Sequence, residues 1–109
     1  KSHMYVGIFE NQPVSMVRYE LSHNFKNAYE ISILVKAKFQ GLGIGQELLN
    51  ESLEIFFRRV SIKNRIIACV KKTNQISKNL FKKNRFFIFK ETEDLSYYSL
   101  DPDQYLNNQ

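Results

Sequence analysis

Cysteine is almost absent. The single thiol, Cys69, excludes an intrachain disulfide, and two-cysteine zinc sites with it. A reducing cytoplasm is the expected compartment. Long apolar runs are missing too. None approaches the roughly 18 residues that a membrane helix needs, so a helical span is excluded and no membrane partner is expected. The start carries no signal-peptide pattern. Lys1-Ser2-His3-Met4 looks like an expression scar and is set aside from the fold reading. Glycine is scarce: there are four, and Gly41, Gly43 and Gly45 share one five-residue window. Loops elsewhere are built from Asn, Lys and Ser.

What is present is ordinary in amount. The 109 residues suffice for one domain, with little room for a second, so 5–109 is read as a single domain. Hydrophobic residues make up 43% and charged residues 25%, which argues against wholesale disorder. The net charge of +5 and the pI near 9.4 favour an acidic or phosphorylated partner, without choosing between nucleic acid, lipid and a phosphate-bearing cofactor.

Tyr5 to Phe9 reads as a strand, Glu10 to Pro13 as a turn and Val14 to Leu21 as the returning strand of a hairpin. Ala28 to Val35 is the strongest strand. Tyr29, Ile31, Ile33 and Val35 share one face, and Glu30, Ser32 and Leu34 the other. The period then changes. Ile44, Leu48, Leu49, Leu53, Phe56, Phe57 and Val60 predict an amphipathic helix over about 43–60, with Arg58 and Arg59 near its C-terminus. Arg65 to Val70 is β-rich. Asn74 to Asn84 predicts a helix with Ile76, Leu80 and Phe81 inward and Lys78, Lys82 and Lys83 outward. Phe86 to Phe89 and Leu95 to Leu100 close the series, and the tail from Asp101 is expected to fray. The order β-β-β-α-β-α-β-β implies a twisted mixed sheet of α/β (α+β) type. Its central β-α-β unit is parallel with a right-handed crossover, and its hairpins are antiparallel.

The glycine window joins the best strand to the best helix. Such a junction presents unpaired backbone N–H groups and the positive end of a helix dipole, which together bind phosphate. Glycine lets the backbone approach a pyrophosphate and take positive φ. The P-loop ending Gly-Lys-Ser/Thr is missing. The Rossmann spacing fails, because Gln46 and Leu48 stand where glycine would be needed. A glycine-rich packing turn remains the plain alternative.

Ile31 to Leu49, with Gln40, Gly43 and Gly45 in a Q/R-x-x-G-x-G/A pattern between strand and helix, resembles the acetyl-CoA-binding signature of the GNAT superfamily of N-acetyltransferases. Ile66–Val70 followed by Asn74, Ser77, Leu80-Phe81, Lys83 and Phe86 resembles that family's second segment. The resemblance covers about residues 5–100. It implies a GNAT-like sheet that lacks the usual N-terminal strand and two helices. Either the sequence is a fragment, or the natural chain is short, or another chain supplies the missing pocket wall. It implies acetyl-CoA as co-substrate, with no metal. Backbone N–H groups from Gln40, Gly41, Leu42, Gly43, Ile44 and Gly45 would cradle the pyrophosphate. Ile33, Leu34 and Val35 would pair with pantetheine, and backbone N–H groups near Leu34 and Val35 would stabilise the oxyanion. Asn74 would bind the cofactor arm, and Phe81 would line the thioester end. The parallel strands would splay to form the slot. Two positions depart from the pattern. Phe81 stands where many members have a tyrosine acid, and Arg85 stands where glycine is usual, so the turn there is expected to differ.

Glu30 is the candidate base for an acceptor ammonium, with Glu20 a second; a strand-end carboxylate is the plain alternative. His23 reads as a surface histidine and Cys69 as a buried structural thiol. The lysines and arginines of 71–90 read as a solvated face, with one or two near the CoA 3′-phosphate. Nucleic-acid binding lacks a helix-turn-helix or a stacking platform. The expected acceptor is a small-molecule primary amine, with a nucleotide-linked amino sugar first and a peptide amine or polyamine after it. The competing class is a non-catalytic acyl-CoA-binding or interaction module. A sheet edge left open would invite a homodimer.

Overall fold

The computed structural model describes residues 2–107. Six strands form one sheet: β1 (Ser2–Phe9), β2 (Gln12–Leu21), β3 (Ala28–Val35), β4 (Arg65–Lys71), β5 (Phe87–Glu91) and β6 (Leu95–Leu100). They lie in the order β1-β2-β3-β4-β6-β5. Among the described residues only β3 and β4 pair in parallel, and the other pairs are antiparallel. Helix α1 (Ile44–Ile55) crosses between those two parallel strands, and α2 (Gln75–Lys83) follows β4. This is the mixed α/β sheet and the element order that the hydrophobic periods imply.

The first hairpin is longer than expected. Ser2, His3 and Met4, set aside above, pair with Glu20, Tyr19 and Arg18. Its turn is only Glu10 and Asn11, at φ 50° and 64°, and Pro13 falls inside β2 beside a bulge at Gly7/Ile8. Two left-handed residues match the twist of the flanking strands.

One face of the sheet carries the helices. Leu48, Leu49 and Leu53 of α1 are buried against Val17, Ile31, Ile66 and Ala68. The single helix read over 43–60 is instead α1 followed by a π-helical turn, Phe56–Val60, which turns Phe56 and Phe57 into the core. Tyr19 stacks on Phe56 with ring centroids 4.7 Å apart. Its hydroxyl shares a 2.8 Å hydrogen bond with Ser52, and burial pushes its pKa far above the usual phenol value. The tail does not simply fray. Pro102–Asn107 form a short helix, α3, begun by a proline at its first position, and Tyr105 packs on Phe57 at 4.7 Å. Residues 108 and 109, also read as tail, lie outside the described residues.

Three further expectations are corrected. Cys69 is exposed rather than buried. Strand alternation sends Ile66, Ala68 and Val70 to the helices and Cys69 to the opposite face. Ile76 is 67% exposed rather than inward. Finally, the turn after α2 keeps the glycine geometry although it has no glycine. Arg85 takes φ 71°, its N–H donates to the Lys82 carbonyl, and the Phe86 N–H donates to the Phe81 carbonyl. This is a Schellman stop with arginine in the left-handed position.

Candidate functional site: a groove between the glycine turn and the second helix

The pairing of β3 with β4 stops early. It runs from Ala28↔Arg65 to Ile31↔Ala68, although both strands continue to Val35 and Lys71. Beyond Ile31 the strands diverge and leave a slot. Which backbone groups of β3 face it follows from the other edge. Lys36 N–H donates to the Val14 carbonyl at 2.9 Å, so by antiparallel alternation Leu34 also points to β2. Ile33 and Val35 point into the slot. The oxyanion donors expected near Leu34 and Val35 therefore narrow to Ile33 and Val35.

The slot opens into a groove of about 550 Å³ between the end of β3, the glycine turn and α2. Most of the residues singled out from the sequence converge on it: Ile33, Leu34, Val35, Gln40, Gly41, Gly43, Ile44, Gly45 and Asn74. Two do not. Leu42 is 68% exposed and outside the lining. Phe81 is 2% exposed and packs on Phe86, at 5.0 Å, and on Tyr98. It is packed in the core and is not among the residues that line the groove. One helical residue earlier, Leu80 takes the groove face, with Ile76, Ser77 and Lys83. These side chains lie one turn apart from the Asn74 cap onward. That spacing is legible in the sequence, but periodicity alone places the apolar residues in the core.

The turn leaves backbone donors free. Gly43 caps α1 at φ 82°, with no side chain folding back onto the first-turn N–H groups. The first intrahelical bond is Glu47 N–H to the Gly43 carbonyl. The N–H groups of Ile44, Gly45 and Gln46 precede it and have no intrahelical acceptor. A Cβ on Gly41 or Gly43 would meet nothing within 4 Å, so the groove is open at both positions. At Gly45 a Cβ would lie 3.3 Å from Val35, so helix and strand approach closely there. Gln40 differs from its expected role. Its N–H donates to the Ala37 carbonyl, and its side-chain amide donates to the slot-facing Val35 carbonyl at 3.0 Å. It holds the turn against β3 and offers no free backbone donor. Asn74 caps α2 by accepting the Ser77 N–H at 3.1 Å. The N–H groups at the turn, the open space at two glycines and the slot-facing edge of β3 fit the pyrophosphate and pantetheine of a CoA.

Glu30 lies on the opposite face of the sheet, at the end of the paired stretch. Its carboxylate accepts the Ser22 hydroxyl at 2.6 Å. Glu20 is its direct cross-strand neighbour, and both Glu20 and His23 are exposed. Cys69 and Tyr97 stand in register just past the divergence. The Cys69 thiol, with smaller contributions from burial and from Glu30, holds the Tyr97 pKa above its usual value. Among the described residues no group of three or more His, Cys, Asp or Glu side chains is placed to hold a metal ion. No described helix is long and apolar enough to cross a membrane.

Known structures share this architecture. N-acetyltransferase PseH from Campylobacter jejuni, solved with acetyl coenzyme A, is 24% identical with a TM-score of 0.72; the match covers 92% of this chain and 67% of that one. RimL, a ribosomal-protein alpha-N-acetyltransferase solved with coenzyme A, is 20% identical with a TM-score of 0.80, over 94% of this chain and 63% of that one. Spermidine N-acetyltransferase SpeG from Vibrio cholerae is 18% identical with a TM-score of 0.82, over 98% and 69%. The chain thus spans 63–69% of the length of these relatives. No curated protein matches it by sequence. The family model of the acetyltransferase (GNAT) family matches residues 1–86. With that match over most of its length, the chain belongs to the GNAT family of acetyltransferases.

Proposed function

We propose that the protein binds acetyl-CoA in the groove and transfers the acetyl group to a primary amine of a small molecule, a nucleotide-linked amino sugar first among the candidates. The observation that carries this reading is the junction of an uncapped helix N-terminus with a slot-facing edge of β3 that no other strand pairs. Pyrophosphate meets the N–H groups of Ile44, Gly45 and Gln46. Pantetheine runs along Ile33 and Val35 as an added strand. The Asn74 side chain keeps its NH₂ for the arm. Acetyl-CoA supplies a thioester carbonyl for the amine to attack. The N–H of Ile33 or Val35 stabilises the oxygen that becomes negative. Glu30, across the sheet at the point of divergence, takes the ammonium proton. Phe81 has no proton to donate, so no acid acts from that position. A thiol with the ordinary cysteine pKa near 8.5 leaves as thiolate unaided at about neutral pH. PseH and RimL hold acetyl-CoA and coenzyme A in their structures, and PseH and SpeG are named as N-acetyltransferases, which supports the reading.

A homodimer belongs to the same proposal. β1 is an eight-residue edge strand with no charged residue and no proline, and Met4, Val6, Ile8 and Phe9 on it are exposed. Such an edge pairs readily with a second copy.

Thermal melting with acetyl-CoA tests the core of the reading. At 100 times its dissociation constant the ligand adds about 2.7 kcal/mol of stability. No shift at millimolar acetyl-CoA overturns it. Thiol release with a panel of amines then separates an enzyme from an acyl-CoA-binding module, which would bind without turnover.

A further inference from the structure

The face of the sheet opposite the helices carries a cluster that the acetyl-CoA groove does not use. The 22–27 connection folds back over this face and sets Phe25 against Phe89, at 5.8 Å between ring centroids, and against Tyr97, at 5.9 Å. Two cations lie over these rings. The Arg65 guanidinium stands 5.4 Å from the Phe89 centroid and 5.9 Å from that of Phe25, and the Lys90 ammonium stands 5.1 Å from that of Tyr97. Neither forms an ion pair with another described residue. The three rings and Arg65 are half-exposed, and Lys90 is exposed. The cluster is tied to the candidate base by one hydroxyl. Ser22 Oγ donates to Glu30 and accepts the backbone N–H groups of Asn24 and Phe25, at 3.1 and 3.0 Å.

Charge on this face is divided. Glu30, with Glu20 beside it, offers carboxylates at the slot. One strand away from Glu30, on β4, Arg65 offers an unpaired cation over aromatic rings, and three strands away, on β5, Lys90 offers another. At about 4.8 Å per strand, Arg65 stands roughly 5 Å and Lys90 roughly 14 Å to the side of Glu30. A bare amine satisfies only the first end. A polyamine would set its further ammonium groups against Arg65 and Lys90, where like charges repel. A ligand with an amine at one end, and phosphate and a flat ring at the other, satisfies both. Rings stack on any nucleobase, and unpaired guanidinium and ammonium groups bind phosphate oxygens.

Resting on the acetyltransferase reading above, we infer that Phe25, Tyr97 and Phe89 with Arg65 and Lys90 form the acceptor subsite, and that it takes the nucleoside diphosphate of a nucleotide-linked amine. Tyr97 and Phe25 stack the base, Arg65 and Lys90 hold the diphosphate, and the amine lies at Glu30. Ser22 couples the Phe25 loop to the Glu30 carboxylate, so ring position and base position move together.

The test is calorimetric titration of uridine diphosphate into the full chain, already saturated with acetyl-CoA so that the nucleotide cannot occupy the groove. Binding is expected. It should weaken by at least about fivefold in Phe25→Ala and in Arg65→Gln, the lower end of what losing one base stack costs, with acetyl-CoA affinity unchanged. Spermidine should not bind. Absence of nucleotide binding overturns the inference, as does binding that both variants leave unaltered or a preference for spermidine. If Phe25→Ala does not fold, Arg65→Gln and Lys90→Gln on the surface decide the matter. Acetyl-CoA is titrated first. If it fails to bind, the acetyltransferase reading falls by itself, and nucleotide titration of the free protein and its variants still reads the subsite.

Discussion

Glu30 is the residue on which the proposed chemistry turns, because it is the carboxylate at the end of the paired β3–β4 stretch and it is already held by the Ser22 hydroxyl. Glu30→Gln preserves size and the Ser22 contact but removes the base. Turnover should fall by about 10²-fold with acetyl-CoA binding unchanged, read by steady-state kinetics beside calorimetry. Unaltered turnover would give proton removal to water or to Glu20. Arg85 poses a different question at the same scale. A left-handed conformation costs a side-chain-bearing residue roughly 1–2 kcal/mol. Arg85→Gly is therefore expected to stabilise the protein by up to about 1 kcal/mol, a rise of several degrees in Tm. A fall in Tm would mean that the arginine's own contacts outweigh the strain.

At the scale of elements, the glycine turn and α1 act as one unit. Gly43 must take φ 82° to start the helix, and the space beside it is open. These two facts separate a backbone role from a ligand role. Asparagine tolerates the left-handed region better than other side-chain-bearing residues. Gly43→Asn should leave the fold intact while its side chain enters the groove. Acetyl-CoA affinity is expected to drop by about tenfold, or ~1.4 kcal/mol, with little change in Tm. Gly43→Val adds β-branched strain and should lower both. Normal binding by Gly43→Asn would make the junction a packing turn. Gly45 differs, because alanine there meets Val35 at 3.3 Å and asks only a small adjustment.

For the whole molecule, the sheet has two edges, and β1 is the long uncharged one. A mass that grows with concentration is expected by light scattering. Val6→Lys, at an exposed position on that strand, should return a monomer, because a charged edge resists pairing. A monomer mass independent of concentration in the unaltered protein would contradict the proposed dimer.

Local periodicity determined a good deal by itself. Period two in Ala28–Val35 and period near 3.6 from Ile44 onward yield the element types and their order, because each element is specified by neighbours a few residues away. The three clustered glycines mark the candidate anion-binding turn for the same local reason. Tertiary structure alone decided the rest. Where β3 and β4 part depends on register between strands more than 30 residues apart in sequence, so the slot was expected from resemblance and could not be located from pattern. Phe81 and Leu80 are adjacent apolar residues on one amphipathic helix; only packing against Phe86 and Tyr98 sends one to the core and leaves the other on the groove. Cys69 sits in an apolar run, yet alternation in a sheet covered by helices on one face exposes it. The cluster of Phe25, Arg65, Phe89 and Tyr97 joins four separate segments. No short-range pattern records such a meeting, because it exists only once the chain has closed on itself.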